Sequence, residues 1–435
     1  MNLDLDGQPS LERVIGVRAL AANTINLTVG AGIFVLPALV AARLGPSAIF
    51  AYLVCAFAMG LVLLCFAEAG SRVHESGGAC AYVEAAFGPL AGFLVSTLLW
   101  FGWGVLGDAA VAAALVGTVG TVWPFVMEPI PRTILLLLLF VVLAAINIRG
   151  ARHGARMVEI LTLAKLVPLL GLVCVGIFFV RLDNLRLDGV PTAGEFGAAT
   201  LVLFFAFAGS ESAVTPSGEI RDPARTIPRG LLFGILGIAS LFIAIQIVAQ
   251  GVLGAGLPEH GAAPLAATAE RLIGPSGIVI LLAAAAISML GALGGDLLAT
   301  PRALFASARD GILPRRLASI HPRFHTPFLA IGLYAALGFV LAASGLYETL
   351  AILSSMAILL VYLATAAATI ELRRRDVRAT PAVFRLIGGP LIPLVAAAVI
   401  VWLLSQARRE EWLSIAVLVA VATAFYALRS RRAKR

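Results

Sequence analysis

Charge is what this sequence has least of. Only 13% of its 435 residues are charged, 60% are hydrophobic, and the mean hydropathy is +0.99. A soluble domain carries about a quarter charged residues, so a single water-facing globule is excluded and the bilayer is the natural solvent. Cysteine is sparse: Cys55, Cys65, Cys80 and Cys174, with no CxxC pair. That leaves no disulfide framework and no thiolate metal motif, and the four read as small apolar residues. Histidine occurs five times (His74, His153, His260, His321 and His325), always in loops. The His321–His325 spacing is ligand-like, but two prolines share the segment and no cysteine is near, so no metal and no cofactor is expected. No GxxxxGK[ST] phosphate loop is present, which argues against direct ATP drive, and no reacting cluster points to an enzyme. Lysine is nearly missing, with Lys165 and Lys434 against thirty arginines. The opening MNLDLDGQPSLERVIG is polar and acidic rather than a secretory signal, so the N-terminus is expected in the cytoplasm.

Long apolar runs fill the rest. Crossing a ~30 Å hydrocarbon core takes roughly 20 helical residues. Twelve runs qualify: 15–43, 46–71, 89–122, 132–149, 157–180, 196–217, 228–253, 275–306, 327–344, 348–371, 384–405 and 411–430. Only helices and closed barrels satisfy a backbone in lipid, and these runs are too long for barrel strands. The expectation is an all-α polytopic membrane protein. Its parts are a cytoplasmic segment 1–14, a ten-helix core 15–371, helices 11 and 12 at 384–430, and a basic tail 431–435. With the N-terminus inside, cytoplasmic segments hold 24 of the 32 Lys and Arg, and outer loops hold seven. This bias fits the positive-inside rule for an even number of spans. It also accounts for the net charge of +8 and pI near 9.8 without a nucleic-acid partner. The tail RSRRAKR is expected to meet anionic lipid.

Two spans carry small residues at mid-length. The first reads Thr28-Val29-Gly30-Ala31-Gly32-Ile33-Phe34, the sixth Phe205-Ala206-Phe207-Ala208-Gly209-Ser210-Glu211-Ser212. Gly30 and Gly209 are 179 residues apart, and each opens a group of five spans. Five is odd, so the second group enters the membrane in the opposite sense, giving inverted repeats 15–180 and 196–371. One Gly-x-Gly reads as helix packing. Matching breaks in the first helix of each half instead point to a midplane binding site. Unwound backbone there would free N–H groups suited to a carboxylate and carbonyls suited to an ammonium. That pairing recognises the part shared by all α-amino acids.

GAGIFVLP in the first span resembles the G-[SA]-G-I-F motif of the amino acid–polyamine–organocation transporters. GGACAYVEAAFGPLAGF (77–93) is similar to their loop between helices 2 and 3. FFAFAGSESAVTPSGEIRDPARTIPRG (204–230) is similar to their helix 6 and the loop after it. ATPRALFASARDGILPRRLASIHPRFHTP (299–327) is similar to their helix 8 end and following loop. Residues 345–435 match only in helix number and hydropathy. The resemblance implies a leucine-transporter-type fold of ten core helices plus two, alternating access, and amino-acid-like substrates. It places the substrate carboxylate at amides near Ala31 and Gly32, and the amino group at carbonyls near Thr28, Phe205 and Ala208. Gly30, Ile33, Gly209 and Ser210 complete the binding set. It also makes Phe205 an aromatic gate, where a plain core aromatic is the alternative.

Four ionisable residues sit deep in spans: Asp108, Lys165, Glu211 and Asp296. Such positions are costly and are functional candidates by default. Lys165 lies eight residues into helix 5, about 12 Å along it. A buried amine can give up its proton and a guanidinium cannot. A lysine there resembles the family's proton-coupled members; the other reading is a structural lysine bonded to helix 1 carbonyls. Glu211 resembles a pH-sensing glutamate of some members, or else pins the broken helix by a fixed hydrogen bond. Asp108 and Asp296 lie in helices that, by resemblance, line the side-chain end of the pocket. There they would bind a cationic side chain, carry protons, or pair with water or backbone. Glu68, Glu159 and Glu219 near helix ends read as structural. Arg221, Asp222, Arg225 and Arg229 read as gate contacts or as solvated loop charges. The expected function is amino acid transport in a bacterial inner membrane, by proton symport, with exchange as the alternative. Sodium coupling fits less well, because Lys165 would put an ammonium near the ion site. A membrane sensor would need an output module, and none is visible. The expected partners are a small amino acid or amine, protons and membrane lipid.

Overall fold

Peptide groups removed from water must bond to each other, and here they do so as helices. The computed structural model describes residues 15–73, 77–150, 154–187, 189, 191–214, 220–309, 311, 313–344, 347–377, 384–386 and 388–433. The α-helices among them are α1 (Val17–Thr28), α2 (Gly32–Leu44), α3 (Ala48–Arg72), α4 (Ala79–Phe87), α5 (Pro89–Thr97), α6 (Leu106–Gly120), α7 (Pro129–Arg149), α8 (Gly154–Gly176), α9 (Ala193–Phe207), α10 (Pro223–Leu253), α11 (Pro264–Ile273), α12 (Pro275–Ala299), α13 (Pro301–Arg309), α14 (Phe328–Ala343), α15 (Tyr347–Arg374), α16 (Leu391–Ser405) and α17 (Arg409–Ala433). The only extended pairing among the described residues is an isolated parallel bridge between Ile15 and Ile220. Among the described residues, eight helical stretches are long and apolar enough to cross a membrane, and three shorter apolar helices accompany them. The chain is thus a polytopic all-helical membrane protein. Lys434, Glu219, His74 and His153 fall outside the described residues, as does the side chain of Glu159.

The break expected within the run 15–43 is present: α1 stops at Thr28 and α2 starts at Gly32. Two other expectations need correction. The stretch 77–88, expected as a loop, holds α4, and Gly88 at φ +90 divides it from α5, which begins at Pro89 where the span 89–122 was expected to start. Proline there has no N–H to waste and its φ is already helical. The loop 254–274 holds a 3-10 turn, Gly254–His260, and the whole of α11. That helix buries Leu265, Ala266, Thr268 and Ala269 and leaves Glu270 exposed. It is amphipathic and too short to span, so a search for bilayer-length runs passes over it. Between α5 and α6 the chain widens into a π-helical stretch, Leu98–Val105.

The helices divide by burial. α15 is buried along most of its length, whereas α17 is largely exposed and lies at the periphery. α1 lies close against α10 because Gly230 and Gly234 leave notches there. A Cβ at Gly230 would lie 2.7 Å from the Leu20 side chain, and one at Gly234 would lie 2.6 Å from Thr24. Leu20 and Thr24 are fully buried, and Arg221 N–H donates to the Ile15 carbonyl at 2.9 Å just beyond.

The end of α3 is fastened to the segment entering α16. Glu68 has no exposed surface. Its carboxylate accepts from Arg72 Nε and Nη2 (3.1 and 2.8 Å), from Arg373 Nε and Nη2 (2.9 and 2.5 Å), and from Leu386 N–H (3.1 Å). Ser71 Oγ accepts from Phe384 N–H at 3.1 Å beside it. Glu68 is therefore a structural anchor, in agreement with its sequence reading.

Candidate functional site

The two breaks meet. α1 ends at Val29 (φ −71, ψ 88), α9 ends at Ala208 (φ −72, ψ 158), and Gly209 follows at φ +106. Side chains rarely adopt that last conformation. A Cβ on Gly209 would also lie 3.1 Å from the Leu27 carbonyl oxygen, and one on Gly32 would lie 2.8 Å from Ala206 Cα. Glycine is needed at both places for the segments to cross. The Thr28 and Ser210 hydroxyls close the crossing at 2.6 Å.

This arrangement exposes backbone polarity inside an apolar protein. Gly30, Ala31, Gly32 and Ile33 form the turn and first residues of α2, where a helix has no internal acceptors for its N–H groups. No backbone acceptor serves these four N–H groups among the described residues, and the carbonyls of Thr28, Phe205 and Ala208 accept nothing there. The start of α2 thus presents donors and the end of α9 presents acceptors, with the matching ends of two helix dipoles. Phe205 forms part of the surrounding wall. It is 7% exposed, its ring centroid is 5.6 Å from that of Trp103, and its edge faces Gly107.

Lys165 and Glu211 brace the breaks from outside. Lys165 Nζ donates to the Asn26 carbonyl at 2.5 Å and the Val29 carbonyl at 2.8 Å. Ser288 Oγ approaches the same Val29 carbonyl at 3.5 Å. The lysine therefore holds the last carbonyls of α1. Glu211 Oε2 accepts from Gly209 N–H at 3.0 Å and from Tyr362 Oη at 2.6 Å, which ties the turn after α9 to α15.

Asp108 and Asp296 are brought together. Their carboxyl groups are near enough to act on each other electrostatically, and Tyr334 Oη on α14 donates to Asp108 Oδ2 at 2.9 Å. Asp108 follows Gly107, which faces Phe205, but its own side chain turns toward α12 and α14. The pair lies behind the wall of the crossing. Arg221, Asp222, Arg225 and Arg229 are far more exposed: Asp222 at φ +44 precedes α10 and forms an ion pair with Arg225 at 3.8 Å.

Tyr334, Tyr362, Ser288 and Trp103 take part in these contacts and were not expected from the sequence. The chain has six tyrosines, and two of them bond to the buried carboxyl groups. That rarity within apolar helices was the one available signal.

Residues 15–427 match a protein family described as amino acid permease. The chain is 28% identical to a methylthioribose transporter of Bacillus subtilis, over 97% of this chain and 94% of that protein. It is 26% identical to a branched-chain amino acid permease of the same organism, over 98% and 95%. A serine/threonine exchanger of Bacillus subtilis is 25% identical, over 97% and 98%.

Proposed function

Because this chain belongs to the amino acid permease family, we propose that it is a secondary transporter of amino acids working by alternating access. The observation that carries the reading is the crossing at Thr28 and Ser210, with unpaired donors on one break and unpaired acceptors on the other. The carboxylate of a substrate would take the N–H groups at Ala31 and Gly32, with Gly30 and Ile33 shaping the turn. The ammonium would take the carbonyls of Thr28, Phe205 and Ala208, with Gly209 and Ser210 holding the opposite turn. Such a site reads the backbone of an amino acid and leaves the side chain to the wall around Phe205. Twelve spans in two inverted groups of five plus two, with both termini cytoplasmic, are the topology that fits this site and the arginine bias.

Proton symport is the mode the charged groups support best. Lys165 places a titratable amine on the carbonyls that end α1, so losing its proton would loosen the break. Glu211 similarly links the second break to α15. Asp108 and Asp296 add a place for a shared proton, because two carboxylates offer only acceptors and cannot bond to each other without one. Uptake of radiolabelled amino acids into proteoliposomes, with and without an inward proton gradient, tests the whole reading. Lys165→Arg should yield folded protein whose uptake no longer responds to the gradient; normal gradient-driven uptake by that variant would remove the lysine from coupling. Exchange is the second mode, favoured by the serine/threonine exchanger among the relatives. Uptake that requires internal amino acid and ignores the gradient would select it. A cationic side chain would reach the two aspartates only past the wall at Phe205, and competition by arginine, lysine or a diamine decides whether it does.

A further inference from the structure

At the end of the bundle opposite the Ile15–Ile220 bridge, a cavity of about 270 Å³ opens between the end of α6, the segment 259–270 and the start of α12. Its lining combines the polar Glu259, His260 and Glu270 with the apolar Val122, Ile278 and Leu282. Its size is just under the range of small-molecule sites, about 300 Å³ and upward, and suits a solute of amino-acid size. Neither Glu259 nor Glu270 forms an ion pair among the described residues.

The cavity leads somewhere. A second space of about 10 Å³ shares Ala262, Ala263, Ala266 and Leu282 with it and continues to Phe34, Thr118 and Ala285. Phe34 stands two residues beyond Gly32, in the first turn of α2. The second space is at or below the volume that holds one water, about 10–15 Å³. A roomy outer chamber thus narrows to a small, mostly apolar space that ends at the first turn of α2. Unpaired carboxylates in a cleft with low-dielectric walls concentrate the field on whatever enters.

We propose that this chamber is a cation-selective antechamber: a second binding place where Glu259 and Glu270 hold the ammonium end of an amino acid or amine and turn anionic solutes away. Its use as the outer mouth of a transport path rests on the function proposed above; its charge selectivity does not. A bound ammonium would point toward the carboxylates with the rest of the solute against the apolar lining residues.

Thiol labelling tests the chamber without needing a known substrate. With the exposed native Cys174 replaced by serine, Ala267→Cys or Thr121→Cys places a thiol on the lining. Two positions guard against one variant failing to fold. Reconstituted protein is treated with trimethylammonium and with sulfonate methanethiosulfonate reagents, and their rate ratio is divided by that for a free thiol. The expected normalised ratio favours the cation about tenfold and returns to about one in the Glu259→Gln/Glu270→Gln background. A ratio near one in both backgrounds, or thiols that react with neither reagent, overturns the antechamber. Selective labelling in a protein that transports nothing would leave the antechamber standing and remove the transport reading.

Discussion

Two of the places where this molecule buries carboxyl groups solve the problem in opposite ways. At the end of α3, Glu68 is ionised and saturated, with two guanidinium groups and a backbone amide on one carboxylate. Between α6, α12 and α14, Asp108 and Asp296 have each other and a tyrosine, and no ion pair among the described residues. The first arrangement fixes charge. The second sets two like charges side by side without a cation, and a proton on either carboxyl would relieve the repulsion. A carboxyl group with matched cations has one protonation state to occupy. A pair without them has two within reach, which is what a proton carrier requires.

The sharpest way to break this contrast is Glu68→Gln. It removes the counter-charge of Arg72 and Arg373 while keeping the shape, and an uncompensated buried charge costs about 3–5 kcal/mol. Little monodisperse protein should survive extraction, as read by fluorescence-detected size exclusion. Replacing the set together, by Glu68→Leu, Arg72→Met and Arg373→Leu, should restore most of that stability, because a buried ion cluster and a packed apolar cluster are often close in free energy. Next in size comes Asp108→Asn. Asparagine can still accept from Tyr334, so the thermal midpoint should stay near that of the parent, while gradient-driven accumulation falls to the level of exchange alone. An equally large loss of stability would show that the pair anchors helices as Glu68 does. The smallest change is Tyr334→Phe, which removes one hydrogen bond worth about 1 kcal/mol and should shift the midpoint slightly with transport retained.

Much of the architecture was legible because the bilayer imposes a length and forbids unpaired backbone. The break at Thr28–Gly32 was visible in its small residues, and so was the one at Phe205–Ser212. That Gly32 and Gly209 are required by close approach was not visible, since each clash is with a segment far away in sequence. α4 and α11 were missed for a related reason. They are short amphipathic helices, and a search for spans sees only sustained hydrophobicity. The Asp108–Asp296 contact is the clearest limit. Their depth could be read residue by residue, but each aspartate's partner lies on another helix, and only packing brings them together.

The notches in α10 have a mechanical consequence. Leu20 and Thr24 fill the space over Gly230 and Gly234, and the Ile15–Ile220 bridge clamps the two segments just before the helix starts. α1 is therefore no free arm. To swing away alone it would open two side-chain-sized voids and unseat a backbone pairing at once, so it travels most readily with α10 as one stiff beam. A pull at the Thr28 end of that beam is delivered, nearly undiminished, some 17 Å away at its foot.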